Sequence, residues 1–195
     1  GVKHRTLGLE GENELIGNGI SFCAVCDGAF YAGQEVAMIG GGNSALQEAL
    51  LLSEVCTKVT VVQNLADFTG EKKLADALLQ KDNVTAIFNT VVTAYDTENG
   101  TLSGLQLKNT ETGEESAIRV DGAFLAVGLM PENDAFAQFA ALNDWGYFDS
   151  AEDCRTATPG LFVAGDCRSK RIRQVVTAAS DGAIAATAAC MYLDQ

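Results

Sequence analysis

Cys23 and Cys26 are separated by only Ala24-Val25, and Asp27 follows directly. Two cysteines at this spacing can close a small disulfide ring and reopen it reversibly. A nearby positive dipole or charge lowers one thiol pKa, and the thiolate is the attacking species. Half of a zinc site and an inert pair are the competing readings. Zinc asks for a second Cys or His pair, whereas His4 is the sole histidine and no second Cys-x-x-Cys occurs. The pair is therefore read as redox-active, with no metal expected. Asp27 could move protons as the disulfide opens; taken alone it reads better as a cap or turn carboxylate. Cys56, Cys154, Cys167 and Cys190 have no chemically meaningful spacing and are read as small buried hydrophobes, in a reducing cytoplasm.

Two glycine-containing motifs add a second kind of chemistry. Gly40-x-Gly42-Asn43-Ser44-Ala45 follows an apolar run and precedes a helical pattern. In that context the first glycine makes a tight turn, the second lets a pyrophosphate approach, and Ala45 allows close packing. Backbone N–H groups at the helix start would then meet the phosphate. The alternative is an ordinary tight turn between strand and helix. Gly165-Asp166 ends another apolar run, after Thr158-Pro159-Gly160. An Asp at the C-terminal end of a parallel strand lies where open α/β folds bind ligands, or else caps the next segment. Arg168, Lys170, Arg171 and Arg173 follow as a basic cluster. It reads as a solvated loop, or as a surface for an acidic partner or a cofactor's polar edge.

The elements that must position these residues follow from pattern. Residues 36–39 read as a buried parallel strand, Gly40–Ala45 as the opening of a helix that runs to about Glu54, and residues 58–62 as a second strand, which makes a βαβ unit. Residues 71–81 have helical spacing. Residues 84–96, 102–109 and 115–127 are rich in Val, Thr and Leu and are punctuated by Glu98-Asn99-Gly100 and Glu111-Thr112-Gly113. They read as a β-meander leading into an apolar strand at 123–127, ended by Gly128 and Pro131. Residues 161–164 read as a further buried strand, and residues 174–193 as an Ala-rich helix whose small residues permit close approach.

Composition bounds the rest. An apolar share of 47% over 195 residues suffices for a real core, and a net charge of −13 argues against nucleic acid and against an anionic membrane surface. No uninterrupted apolar run reaches the roughly 18 residues of a spanning helix, and Gly1-Val2-Lys3-His4-Arg5 does not lead into a signal-peptide core.

These motifs, in this order, resemble the low-molecular-weight thioredoxin reductases. The resemblance is carried by Gly17 to Phe30, by the Gly40–Ala45 turn, by Thr156 to Asp166 and by Arg173 to Ala179. It implies an α/β chain: the end of the first half of an FAD domain at 1–8, a Rossmann-like central nucleotide-binding domain with a β-meander and the redox disulfide at 9–128, and the C-terminal part of a split FAD-binding domain at 129–195. It implies that Cys26 faces the flavin, that Cys23 attacks the partner disulfide and that Asp27 donates the proton. Asp166 would hold the ribityl chain of FAD, and Arg173, Gln174 and Val175 would line the isoalloxazine, with Gly128 and Gly165 also against the cofactor. The acceptor would be a thioredoxin-like protein, the central domain would swing between two orientations, and the complete protein would be a homodimer.

Two departures from the family pattern qualify this. The family carries His-Arg-Arg-x-x-Phe-Arg after the second strand to grip the 2′-phosphate of NADPH, and here Gln63-Asn64-Leu65-Ala66-Asp67-Phe68-Thr69 stands instead. Asn64, Leu65 and Thr69 replace all three arginines, and no carboxylate at Val62 or Gln63 offers itself to an NADH ribose. The alternative donors are a ferredoxin, of the related type that discards pyridine nucleotide, or NADH without that carboxylate, and the alternative function is a redox-sensing dithiol or nucleotide-binding module without reductase turnover. The family also has a long N-terminal segment with its own Gly-x-Gly-x-x-Gly, which this sequence lacks, so the chain is expected to be a fragment.

Overall fold

A computed structural model describes residues 1–194, which fall into two compact units: His4–Gly128, and Gly1–Lys3 together with the chain from Leu129 onward.

The His4–Gly128 unit is built on a five-stranded parallel sheet. Its strands are Ile20–Ser21 (β2), Glu35–Ile39 (β3), Lys58–Val62 (β4), Val84–Ile87 (β5) and Gly122–Leu125 (β9), in spatial order β2-β9-β3-β4-β5. The pleat sends alternate residues to opposite faces, and both faces are covered. Val36, Met38, Val59, Val61 and Phe124 pack against Ala45, Leu46, Ala49 and Leu52 of helix α3 (Asn43–Val55) and Leu78 of α4 (Lys72–Leu79). Ala37, Ile39, Val62, Ala123 and Leu125 face the other way. They meet Val92, Leu102, Leu105 and Leu107 of an antiparallel sheet formed by Thr90–Glu98 (β6), Thr101–Asn109 (β7) and Glu115–Arg119 (β8). Sheet burial on both faces explains the near-continuous apolar runs of β3 and β4. Two short helices, α1 (Glu12–Leu15) and α2 (Ala24–Asp27), flank β2.

The expected strand–turn–helix–strand unit is present, but the first of the expected meander segments divides. Residues 84–96 hold β5, which pairs in parallel with β4, and then β6, which opens the antiparallel sheet. Asn89, at φ 50°, turns the chain between them. Residues 115–127 hold β8 and then, as expected, a separate apolar strand, β9, which lies in the parallel sheet. The Val- and Thr-rich texture runs unbroken from β5 into β6, both of them partly buried, so it cannot mark the change of sheet.

The second unit is sparser. Val2–His4 (β1) pairs with Leu129–Pro131 (β10), and the chain ends in helix α5 (Val175–Leu193). Its small core comprises Ala140, Phe148 and Val163, with Leu142, Leu161 and Cys167 against them. The strand expected at 161–164 does not form. The segment makes only an isolated antiparallel bridge, Arg155 to Phe162, because among the described residues no strand runs alongside it. Asp166 therefore ends a loop and not a parallel strand. α5 is long and apolar enough by length and composition alone to pass for a span, but Asp181 interrupts it, so no unbroken apolar run of spanning length occurs there.

Candidate active site

β2 delivers the chain to the cysteines. Cys23 and Cys26 form a disulfide with their Cα atoms 5.3 Å apart. Cys23 caps α2: its carbonyl accepts the Asp27 N–H at 3.0 Å, and its Sγ accepts the Cys26 N–H at 3.2 Å. Cys23 is half-buried and Cys26 is exposed. A backbone donor aimed at Cys23 Sγ favours the thiolate there when the bond opens.

Asp27 is held by a residue that the sequence analysis did not single out. The Ser21 hydroxyl donates to Asp27 Oδ2 at 2.6 Å and accepts the Cys23 N–H at 3.1 Å. Ser21 is 5% exposed. Its acceptance of the N–H two residues on is a local Ser motif, a signal available in the sequence. Glu48 of α3 was also missed. Its Oε2 accepts the Ala24 N–H at 2.9 Å, and burial raises its pKa, against the lowering effects of that N–H and of His4. No local pattern announces a contact across 24 residues. Tyr31, just beyond α2, has its phenol pKa raised by burial and then by the Asp27 charge. Val25 and Phe30, 81% and 78% exposed, present an apolar surface beside the disulfide.

The glycine turn has the geometry its residue types require. Gly40 sits at φ +125°, and a Cβ there would lie 2.5 Å from the Ala126 carbonyl oxygen and 3.5 Å from Ala45 Cβ. Only glycine fits there, and Ala45 is fully buried behind it. Gly42 is open, with Thr69 Oγ1 at 3.9 Å the one atom near its would-be Cβ. It precedes α3, whose first turn has no side-chain cap, so its N–H groups remain free for a phosphate. Ser44 is exposed there. The loop after β4 folds back over this turn. Thr69 and Gly70 N–H both donate to the Gly41 carbonyl at 2.9 Å. The Asn43 side chain is tied to Glu71, accepting its N–H at 2.6 Å and donating to its carboxylate at 3.2 Å.

In the other unit, Asp166 Oδ1 is buried without a hydrogen-bond partner. A buried orphan acceptor is costly and fits a hydroxyl-bearing ligand such as the ribityl chain of FAD. Arg173 Nε donates to the Asp166 carbonyl at 3.3 Å, and its guanidinium lies 4.0 Å over the Tyr147 ring. Gln174 forms a capping box with Thr177 at the start of α5, and Val175 is exposed beside it. Gly165, at φ +86°, gives its N–H to Asp181. Gly128, at φ +111° with open space around it, ends the first unit.

The basic cluster is not one surface. Arg168 grips Asp181 with two hydrogen bonds of 2.8 Å, and Lys170 Nζ joins at 2.8 Å. These bonds, led by those from Arg168, hold the Asp181 carboxyl far below the usual range. Arg168 and Lys170 are thus committed internally, and Arg171 is left exposed. The four remaining cysteines also separate: Cys56 and Cys154 are buried, Cys167 is half-buried, and Cys190 is exposed, against expectation.

A Rossmann-like α/β unit whose parallel sheet presents both a glycine turn and a Cys-x-x-Cys disulfide defines a class: nucleotide-type domains of disulfide oxidoreductases. Residues 1–182 match the family described as Pyridine nucleotide-disulphide oxidoreductase, and the chain belongs to that family. It is 40% identical over its whole length to a thioredoxin reductase of Listeria monocytogenes and 37% to that of Bacillus subtilis, spanning 61% and 62% of their lengths. Among solved structures, the thioredoxin reductase of Lactococcus lactis superposes with a TM-score of 0.86 at 33% identity, over 98% of this chain and 63% of that one. That of T. acidophilum gives 0.84 at 34%, over 100% and 63%. The chain thus spans a little over three-fifths of the relatives it matches.

Proposed function

We propose that this chain is the disulfide-bearing part of a flavin-dependent thioredoxin reductase, with residues 9–128 as the pyridine-nucleotide-type domain and residues 129–195 as part of the FAD domain. One observation carries the reading: Cys23–Cys26 caps α2 with a backbone donor on Cys23 Sγ and a Ser21-held carboxylate beside it. FAD, when bound and reduced by a donor, would supply the two electrons that open such a disulfide. Asp166, through its orphan Oδ1, together with Gly165, Arg173, Gln174 and Val175, would hold it.

Once the bond is open, Cys23 attacks the disulfide of a thioredoxin-like protein as the thiolate. Cys26, the flavin-facing sulfur in this assignment, then displaces the reduced partner and restores the Cys23–Cys26 bond. Asp27, oriented by Ser21, supplies the proton to the leaving thiolate. Exposed Val25 and Phe30 offer the partner an apolar contact. Asp181, gripped by Arg168 and Lys170 in the middle of α5, supports reading that helix as a domain element and not as a membrane span, in a cytoplasmic protein that is a homodimer when complete.

The donor is the second question. The loop from Gln63 to Thr69 brings no arginine to the glycine turn, and Thr69 instead ties itself to Gly41. This supports NADH or a reduced ferredoxin over NADPH. The test is to express the complete gene, purify it anaerobically and follow flavin absorbance on mixing with NADPH, NADH or reduced ferredoxin, with thioredoxin as acceptor. Flavin bleaching by ferredoxin or NADH with thioredoxin reduction is expected. A complete protein without flavin would overturn the reductase reading, and fast bleaching by NADPH would overturn the donor reading.

A further inference from the structure

Helix α3 is stitched to the disulfide segment at two points one turn apart. Leu52 packs under Gly28, where a Cβ would stand 3.2 Å from Leu52 Cδ2. Four residues earlier, Glu48 takes the Ala24 N–H at 2.9 Å. Residues at i and i+4 share a helix face, so α3 presents one apolar and one anionic contact to the same short segment. The apolar contact suffices for packing. The carboxylate puts a negative charge on the N–H of the residue that follows Cys23, where an anion disfavours a thiolate.

We propose that Glu48 is a positioning residue for the dithiol, which fixes the start of α2 and makes Cys23–Cys26 more strongly reducing by disfavouring the Cys23 thiolate. The inference deepens the proposed function but needs only a working dithiol. In the disulfide both sulfurs are neutral. On reduction, two electrons enter, the S–S bond breaks, and Cys23 and Cys26 become thiols in equilibrium with thiolate. A nearby anion raises the cost of the thiolate, so the oxidised form is favoured and the dithiol gives up its electrons more readily. Burial keeps the carboxylate only half in contact with water, so solvent screens it less than a surface charge.

Other charges near Glu48 are few. His4, stacked on Phe22 at 4.9 Å, draws the Glu48 pKa down. Asp27 of α2 is engaged by Ser21, and Tyr31 is a neutral phenol. On α3 itself, Glu54 is paired with Lys81.

The test uses the full 195-residue chain and its Glu48→Gln, Glu48→Asp and Glu54→Gln variants, with folding checked by circular dichroism. Each is equilibrated with dithiothreitol redox buffers. The chain's S–S bond breaks as the reagent's ring S–S forms, and two electrons and two protons pass to the chain. Glu48→Gln keeps an acceptor for Ala24 N–H but removes the charge. It should shift the equilibrium toward the dithiol by roughly three- to tenfold at neutral pH, and should speed alkylation of Cys23 by about two- to threefold. Glu48→Asp, which retains the charge, and Glu54→Gln should stay near the parent. The gap between parent and Glu48→Gln should close in acid, where Glu48 is protonated in the parent too.

No shift in Glu48→Gln, a shift toward the disulfide, or equal shifts in all three variants would overturn the inference. Flavin, nicotinamide and thioredoxin take no part in the measurement. A shifted equilibrium here, with a complete flavoprotein that fails to reduce thioredoxin, would therefore sink the proposed function alone. An active reductase with an unmoved dithiol would sink this inference alone.

Discussion

The Ser21 hydroxyl lies 2.6 Å from Asp27 Oδ2 and accepts the Cys23 N–H at 3.1 Å. One side chain at the end of β2 therefore fixes both the start of the disulfide loop and the carboxylate that follows it.

Replacing Ser21 by Ala should cost about 1 kcal/mol of stability, the worth of an ordinary hydrogen bond. It should slow dithiol–disulfide exchange roughly tenfold, a fraction of a general-acid contribution. The pH profile of exchange should move with it, and Ser21→Thr should restore most of the rate. An unaltered profile in Ser21→Ala would show that Asp27 is positioned by something else.

The two sulfurs should behave differently when one is removed. In the complete flavoprotein, Cys26→Ser should retain a thiolate at Cys23 and trap a mixed disulfide with the acceptor, whereas Cys23→Ser should trap none. Both should reduce turnover to background. Mass spectrometry of the adducts decides the assignment, and a stable adduct on Cys26 in Cys23→Ser would reverse it.

Nucleotide preference is testable by restoring charge. Asn64→Arg, Leu65→Arg and Thr69→Arg combined should tighten NADP⁺ binding at least about tenfold, since one charge-assisted contact contributes about 1.5–3 kcal/mol. NAD⁺ binding should change far less. Calorimetry with both nucleotides measures the difference, and equal gains for the two would rule out recognition of the 2′-phosphate.

In the second unit, Asp181→Ala leaves Arg168 and Lys170 buried without their counter-charge. Breaking such a set costs about 3–5 kcal/mol, so amide protection along α5 should collapse in hydrogen exchange. The folded-state pKa of Asp181 lies below its unfolded value of about 3.9. Its contribution is therefore complete above that pH and is lost as the pH falls through the lower folded value. Protection of α5 should be flat from neutral pH to about 5 and fall only in stronger acid. A decline beginning near neutrality would point to other groups.

Much of this chain is legible in its residues. The spacing of Cys23 and Cys26, the Gly40-x-Gly42 turn and the apolar runs of β3 and β4 are local patterns, each imposed by the backbone over a few residues. The run at 161–164 was misleading for the converse reason. A strand is defined by its neighbours, and Phe162 finds only a single bridge to Arg155.

The sequence by itself determined that a dithiol precedes a strand–glycine turn–helix unit, because those features depend on residue type and near spacing. Only the tertiary structure decided that Glu48 reaches the Ala24 N–H, that β5 leaves the meander for the parallel sheet, and that Arg168 and Lys170 close on Asp181 and form no open basic surface. Each of these is a contact between distant residues. Packing chooses such partners by shape and charge, and no short pattern encodes that choice.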